Sequence, residues 1–220
     1  MSNMVPTREA LMTTGTFPQV AIRNHIFRMD MVMQELRGAL PLSGILDLGC
    51  GDGALIRHIS KSNLDDIPLI GIDEWQERIE RARSFHCKGN VMFLEGSVLD
   101  IPDSLKNKEG IFELIHNIGA VVLLEVIEHI EPDNVQKVVD GVFGYLQPKT
   151  VVITTPDATS LKCSPSRMSE MGHKFEWTRE EFDEWASRVI SNYDGYSSRI
   201  YSINGPEFVR PTQMATFTRN

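Results

Sequence analysis

The chain has 220 residues, with 22 Lys and Arg against 30 Asp and Glu, for a formal net charge of −8. That length suits one α/β domain with a sizeable core, and the acidity argues against a broad nucleic-acid surface, which draws on an excess of Lys and Arg. Grip on a nucleic-acid end alone stays compatible with it, because such grip needs only a local patch and a bound divalent cation offsets acidic side chains.

Three cysteines, Cys50, Cys87 and Cys163, are odd in number and scattered, which fits neither a disulfide framework nor a zinc ribbon. The N-terminus carries no signal pattern, and the most apolar stretch, Ile118 to Ile127, is interrupted by Glu125. A soluble, cytoplasmic protein with no membrane contact is expected.

Met29, Val32, Met33, Leu36 and Leu40 form an apolar stripe at helical spacing within Ile26 to Leu40. After Gly44 the pattern alternates. A strand at Ile45 to Leu48, a helix from Ala54, a strand at Pro68 to Ile72, a helix from Glu74 to about Phe85 and a strand at Val91 to Glu95 are predicted. A polar segment with Pro102 and Lys106 to Gly110 leads to a strand at Ala120 to Leu124, a helix over Asp133 to Leu146 and a strand at Val151 to Thr154. Strands alternating with helices imply a parallel sheet covered on both faces.

A long loop follows Pro156, of a kind that is often functional. Thr178 and Glu181 have capping-box spacing, and Phe182, Trp185, Ala186, Val189 and Ile190 repeat as one helix face. Ser198 to Ile203 and Met214 to Thr218 read as two final, antiparallel strands. The expected organisation is one domain over 1–220, with an N-terminal helical segment at 1–43, a donor-binding core at 44–156, and a metal and substrate loop, helix and last strands at 157–220.

Ile45-Leu-Asp-Leu-Gly-Cys-Gly-Asp-Gly53 places Gly49, Gly51 and Gly53 between a strand and a helix. Such a loop lets a ligand approach the backbone at the carboxyl end of a parallel strand. A dinucleotide fold is one reading, yet Asp47 suits an ammonium group better than a pyrophosphate. The run resembles motif I of the class I S-adenosylmethionine-dependent methyltransferases, a Rossmann-like fold with a mostly parallel seven-stranded sheet. Asp73, ending the next strand, either accepts bonds from the donor's ribose hydroxyls or caps the following helix. Ser97 is the candidate on the adenine side, against a purely structural serine.

Glu125, Glu128 and His129, at spacings of three and four on a helix or tight turn, can converge on one ion. Alone, this segment is equally compatible with a capping glutamate and a histidine touching a small substrate. His173 introduces His-Lys-Phe-Glu-Trp-Thr-Arg. The two segments together resemble the small-RNA 3′-terminal 2′-O-methyltransferases, the family of the plant microRNA methyltransferase and its animal piRNA-modifying relatives, from about Phe17 to Trp185. The resemblance implies a magnesium ion held by Glu125, Glu128, His129 and His173, a donor in S-adenosylmethionine, the 3′ end of a small single-stranded RNA as substrate, no DNA, and an Argonaute or Piwi partner. Manganese, cobalt or zinc would also accept two imidazoles and two carboxylates.

The chain departs from that family in places. The basic run before the late histidine is Arg167-Met-Ser-Glu-Met-Gly here, Thr155-Pro-Asp replaces Thr-Pro-Asn, and the early Phe-x-Pro-Pro segment is shortened to Phe17-Pro18-Gln19. Arg23, Arg28, Lys162, Arg167, Lys174 and Arg179 flank the proposed site as RNA-contact candidates. Phe17 and Tyr196 could stack on a terminal base or pack in the core, and Trp177 and Trp185 read as helix packing. A small-molecule O-methyltransferase, or a non-catalytic RNA-end binder, are the competing readings; the first should survive loss of His173, and the second should not bind donor.

Overall fold

A computed structural model describes residues 17–62, 64, 66–85, 90–106, 115, 117–159, 165–203 and 211–220. The helix α1 (Phe17–Gly38) is followed by β1 (Ile45–Leu48), α2 (Ala54–Ile59), β2 (Leu69–Asp73), α3 (Gln76–Ser84), β3 (Val91–Glu95), α4 (Ile101–Lys106) and β4 (Ala120–Leu124). Two short 3₁₀ turns, Ile127–His129 and Pro132–Asn134, lead into α5 (Val135–Val139), which widens into a π-helical stretch over Asp140–Leu146. Then come β5 (Thr150–Pro156), α6 (Pro165–Glu170), α7 (Arg179–Asn192), β6 (Tyr196–Ile203) and β7 (Thr212–Arg219).

The seven strands form one sheet in the order β3-β2-β1-β4-β5-β7-β6. β1 pairs in parallel with β2 and β4, while β7 runs antiparallel to both β5 and β6, so the sheet is mixed at one end. Every residue of β1, β2 and β5 is buried, as expected for strands covered on both faces. Alternation divides the core in two. Leu46, Leu48, Val121 and Leu123 pack with Ile101, Val138, Phe182 and Trp185 on one face, and Ile45, Ala120 and Val122 pack with Val32, Leu36, Ile56 and Ile79 on the other.

The predicted α1 stripe holds for Met29, Val32, Met33 and Leu36, but Leu40 is exposed. It lies beyond the helix and directly before Pro41, whose ring disfavours helical geometry at the preceding residue. Two helices appear where only polar segment and loop were expected, α4 and α6. Each is six residues long, too short for a periodic signal. Among the described residues, no helix is long and apolar enough to cross a membrane.

Candidate functional site

The loop after β1 is held by backbone geometry. Gly49, Gly51 and Gly53 all have positive φ, and a side chain on Gly49 would come within 2.7 Å of Val126. Gly49 and Cys50 donate to the Ile72 carbonyl at 2.8 and 2.9 Å. Asp73 then ties the loop to the next turn: its Oδ2 accepts from Gly51 N at 2.8 Å and its Oδ1 from Trp75 N at 3.0 Å. Asp73 thus closes the turn leading to Trp75, the N-cap residue of α3, rather than capping the helix itself, and each oxygen keeps a lone pair for a further donor.

A cavity of about 580 Å³ opens at the carboxyl ends of β1, β2 and β4, where the strand order reverses and where open α/β sheets bind ligands. Gly49, Asp73, Trp75, Leu99, Val126 and His129 are among its walls. Ser97 is not; its hydroxyl accepts from Leu99 N at 3.2 Å and its amide donates to Ser104 Oγ at 2.9 Å, which makes it a turn residue ahead of α4. Val98, Leu99 and Trp75 supply the apolar lining that sequence reasoning assigned to no one. Their only signal was position, just past strand ends. Asp47 is buried on β1, and burial, then repulsion from Asp73, pushes its carboxyl up to about 7.

Glu128, His129 and His173 offer ligand atoms that all lie within 4.8 Å of one another. Glu128 and His129 sit on the 3₁₀ turn after β4, rather than on an α-helix. His173 arrives from the segment after α6, where Lys174 N donates to the Glu128 carbonyl at 2.7 Å. Downstream, the segment is anchored by Gln213 Nε2 donating to the Trp177 carbonyl at 2.9 Å and by Trp177 stacking on Trp185 at 5.1 Å. Trp177 and Trp185 therefore pack the helix α7, as expected.

Glu125 stands apart from that group of three. It directly follows β4 with φ at 56°, a strained conformation for a non-glycine residue. Its Oε1 accepts from Thr154 Oγ1 at 2.9 Å, and its Oε2 lies 3.7 Å from Arg28 Nε. It still lines the cavity beside His129.

The trio fits a cation. Glu128 is fully buried; its Oε2 accepts from Thr155 Oγ1 at 3.1 Å, while its Oε1 has no partner. Burial, then the neighbouring Glu125, raises its carboxyl well above the usual range. Burial lowers the His129 imidazole, favouring the neutral form that ligates. The Nδ1 of His129 faces the Gly172 carbonyl at 3.1 Å, and that of His173 faces Glu176 Oε1 at 2.6 Å. Carbonyl and carboxylate oxygens accept, so each Nδ1 donates and each Nε2 keeps its lone pair. An ion bonded at about 2.1 Å keeps its ligands within about 4.2 Å of one another, so this spacing needs only small side-chain adjustment.

The RNA-contact candidates fare differently. Arg28 turns inward to Glu125 and Thr212, and Arg179 bonds Asp183 and Ser202. Lys174 lines the cavity and pairs with Glu131 at 2.8 Å. Arg23 is exposed, and Tyr196 is buried in the core with its hydroxyl on the Pro148 carbonyl. The side chains of Phe17 and Arg167, together with Lys162, Cys87 and Cys163, lie outside what the structure describes.

A methyltransferase-domain family model matches residues 30–202, which spans the glycine loop, Glu125, Glu128, His129 and His173. The chain belongs to the methyltransferase-domain family. Its sheet is that of the class I S-adenosylmethionine-dependent methyltransferases, as the glycine loop predicted. Within this family it is similar to the small RNA 2′-O-methyltransferase of Mus musculus, 30% identical over 190 residues that cover 80% of this chain and 46% of that protein. The protein of the same name from Schizosaccharomyces pombe is 31% identical, covering 79% of this chain and 50% of the relative. The one from Arabidopsis thaliana is 27% identical over 87% of this chain but 22% of its own length. The chain therefore spans about half, or less, of the curated relatives it matches. Among solved structures, the methyltransferase domain of bacterial CtHen1-C superposes with a TM-score of 0.69 at 28% identity, covering 88% of this methyltransferase domain and 97% of that chain. The family resemblance read from the two histidine segments is borne out by these relatives.

Proposed function

We propose that this methyltransferase domain transfers a methyl group from S-adenosylmethionine to the 2′-hydroxyl of the 3′-terminal nucleotide of a small RNA, protecting that end. The observation that carries this reading is the trio Glu128, His129 and His173 opening, through His129, onto the cavity walled by the glycine loop. The similarity to proteins named small RNA 2′-O-methyltransferases supplies the substrate class.

Each group has a role in this scheme. The glycine loop and Asp73 hold the donor at the strand ends, and the buried Asp47 carboxylate complements the donor's ammonium group. Glu128, His129 and His173, with Glu125 drawn in as fourth ligand, hold a divalent cation, magnesium or one of manganese, cobalt and zinc. Such an ion would supply Lewis acidity, which lowers the pKa of a bound water strongly and that of an alcohol less. With each Nδ1 donating, Nε2 would be the ligating atom of both His129 and His173, and neither imidazole would then be free to accept the hydroxyl proton. Positioning of the terminal ribose against the donor methyl is the larger catalytic contribution. The substrate is taken to be presented by an Argonaute or Piwi protein, as the family resemblance implies.

The test uses the chemistry of a vicinal diol. A short RNA treated with the domain and donor should become resistant to periodate cleavage of its terminal ribose. An RNA that stays fully sensitive, with donor binding intact, would contradict the proposal and favour a small-molecule acceptor.

A further inference from the structure

The two histidines of the cluster are oriented by different kinds of acceptor. His129 Nδ1 meets a backbone carbonyl, that of Gly172. His173 Nδ1 meets a side chain, Glu176 Oε1, at 2.6 Å, and the two side chains are 6% and 2% exposed. A carboxylate kept so dry, against a ring nitrogen, makes a strong and directional bond. It sits three residues after the histidine, on the side of the ring away from Nε2.

We propose that Glu176 is a positioning residue of the cation site. Its carboxylate accepts the Nδ1 proton of His173, fixes that tautomer and the ring plane, and thereby reserves the Nε2 lone pair for the ion. The bond also places negative charge behind the ring, which makes Nε2 a better electron-pair donor. Without Glu176 the proton is free to move to Nε2, and a ring protonated there offers the cluster a donor where it needs an acceptor. This rests on the cation reading above.

The test takes the full 220-residue chain with Glu176→Leu and Glu176→Gln. Nitrogen-15 NMR of metal-free protein reads the His173 tautomer, Mn²⁺ titration reads the ion site, and S-adenosylhomocysteine titration reads the integrity of the neighbouring donor cavity. The parent should hold His173 protonated at Nδ1. Glu176→Leu should lose that tautomer and weaken Mn²⁺ binding about 10- to 100-fold, the usual cost of removing such an outer partner, with S-adenosylhomocysteine affinity unchanged. Glu176→Gln, whose amide oxygen still accepts, should fall between. A parent His173 protonated at Nε2, or Glu176→Leu with undiminished Mn²⁺ affinity, would overturn the assignment. Should Glu176→Leu fail to fold, the parent tautomer decides. If the parent binds no Mn²⁺, the cation reading fails, and the tautomer measurement still decides what Glu176 does.

Discussion

The amide of Lys174 donates to the carbonyl of Glu128 across 2.7 Å. This single backbone bond joins the turn carrying Glu128 and His129 to the segment carrying His173, so the candidate site is built from two stretches of chain on separate elements. Side chains on both stretches are then fixed from behind, by Thr155 on Glu128, by the Gly172 carbonyl on His129 and by Glu176 on His173. The arrangement suits a site that must accept a hydroxyl without rearranging.

Glu128→Gln tests the cost of a buried carboxylate. Burial and Glu125 disfavour its charge, so the neutral amide should raise the Tm of metal-free protein by a few degrees, given roughly 2–4 °C per kcal/mol for a chain of this size. The same variant should lose the Tm increase that Mn²⁺ gives the parent. Thermal unfolding with and without Mn²⁺ reads both effects, and a lower metal-free Tm would contradict the assignment.

Asp47 predicts a pH dependence of donor binding. Its carboxyl is raised to about 7 in the free protein, from an ordinary value of about 4. In folding terms the raised value means that stability contributed by the protonated form is lost as pH rises from about 4 through about 7. An ammonium group placed beside it favours the charged form, so binding releases a proton below about pH 7. Donor affinity should therefore fall as pH drops below 7, by up to about tenfold per unit, and Asp47→Asn should flatten that slope while weakening binding. Calorimetry in buffers of different ionisation enthalpy counts the proton directly.

Gly49→Ala should damage the donor loop. The residue has φ at 74°, and its new methyl would meet Val126 at 2.7 Å. A strain cost of about 1–3 kcal/mol is expected, and donor affinity should fall at least tenfold. Equal donor affinity in parent and variant would show that the loop yields without consequence.

Thr178→Ala should cost about 1 kcal/mol by removing the capping box at the start of α7, where Thr178 accepts from Glu181 N. The Tm should drop by about 2–4 °C. Mn²⁺ affinity should change little, because His173 is held by the Met168 carbonyl and by Glu176 rather than by the cap.

Ile45–Leu48 and Ala120–Leu124 were legible because burial on both faces leaves nearly continuous apolar runs, and the edge strand Val91–Glu95, only partly buried, also falls where the sequence puts it. The Thr178 cap announced α7, and the three glycines announced the donor loop. The six-residue helices α4 and α6 were not legible, since fewer than two turns carry no period and, unlike the equally short α2 after the glycine loop, neither follows a motif that announces it. At the site, residue type and spacing pointed to Glu128, His129 and His173, but two partnerships needed the third dimension. Arg28 meets Glu125 from across the fold, and Glu176 turns toward a histidine three residues back although it lies within an aromatic run. Ser97, suggested by its place after β3, is not among the cavity walls, and its hydroxyl accepts from Leu99 N within a turn.

Methyl transfer by this domain to an RNA end is tested most directly with labelled donor and a short RNA with a free 3′ end, against the same RNA with a 2′-deoxy terminus, each with and without a chelator. Labelling is expected only of the RNA bearing the terminal 2′-hydroxyl, abolished by chelator and restored by added Mn²⁺. Labelling of the 2′-deoxy RNA, or labelling that persists in chelator, would contradict it.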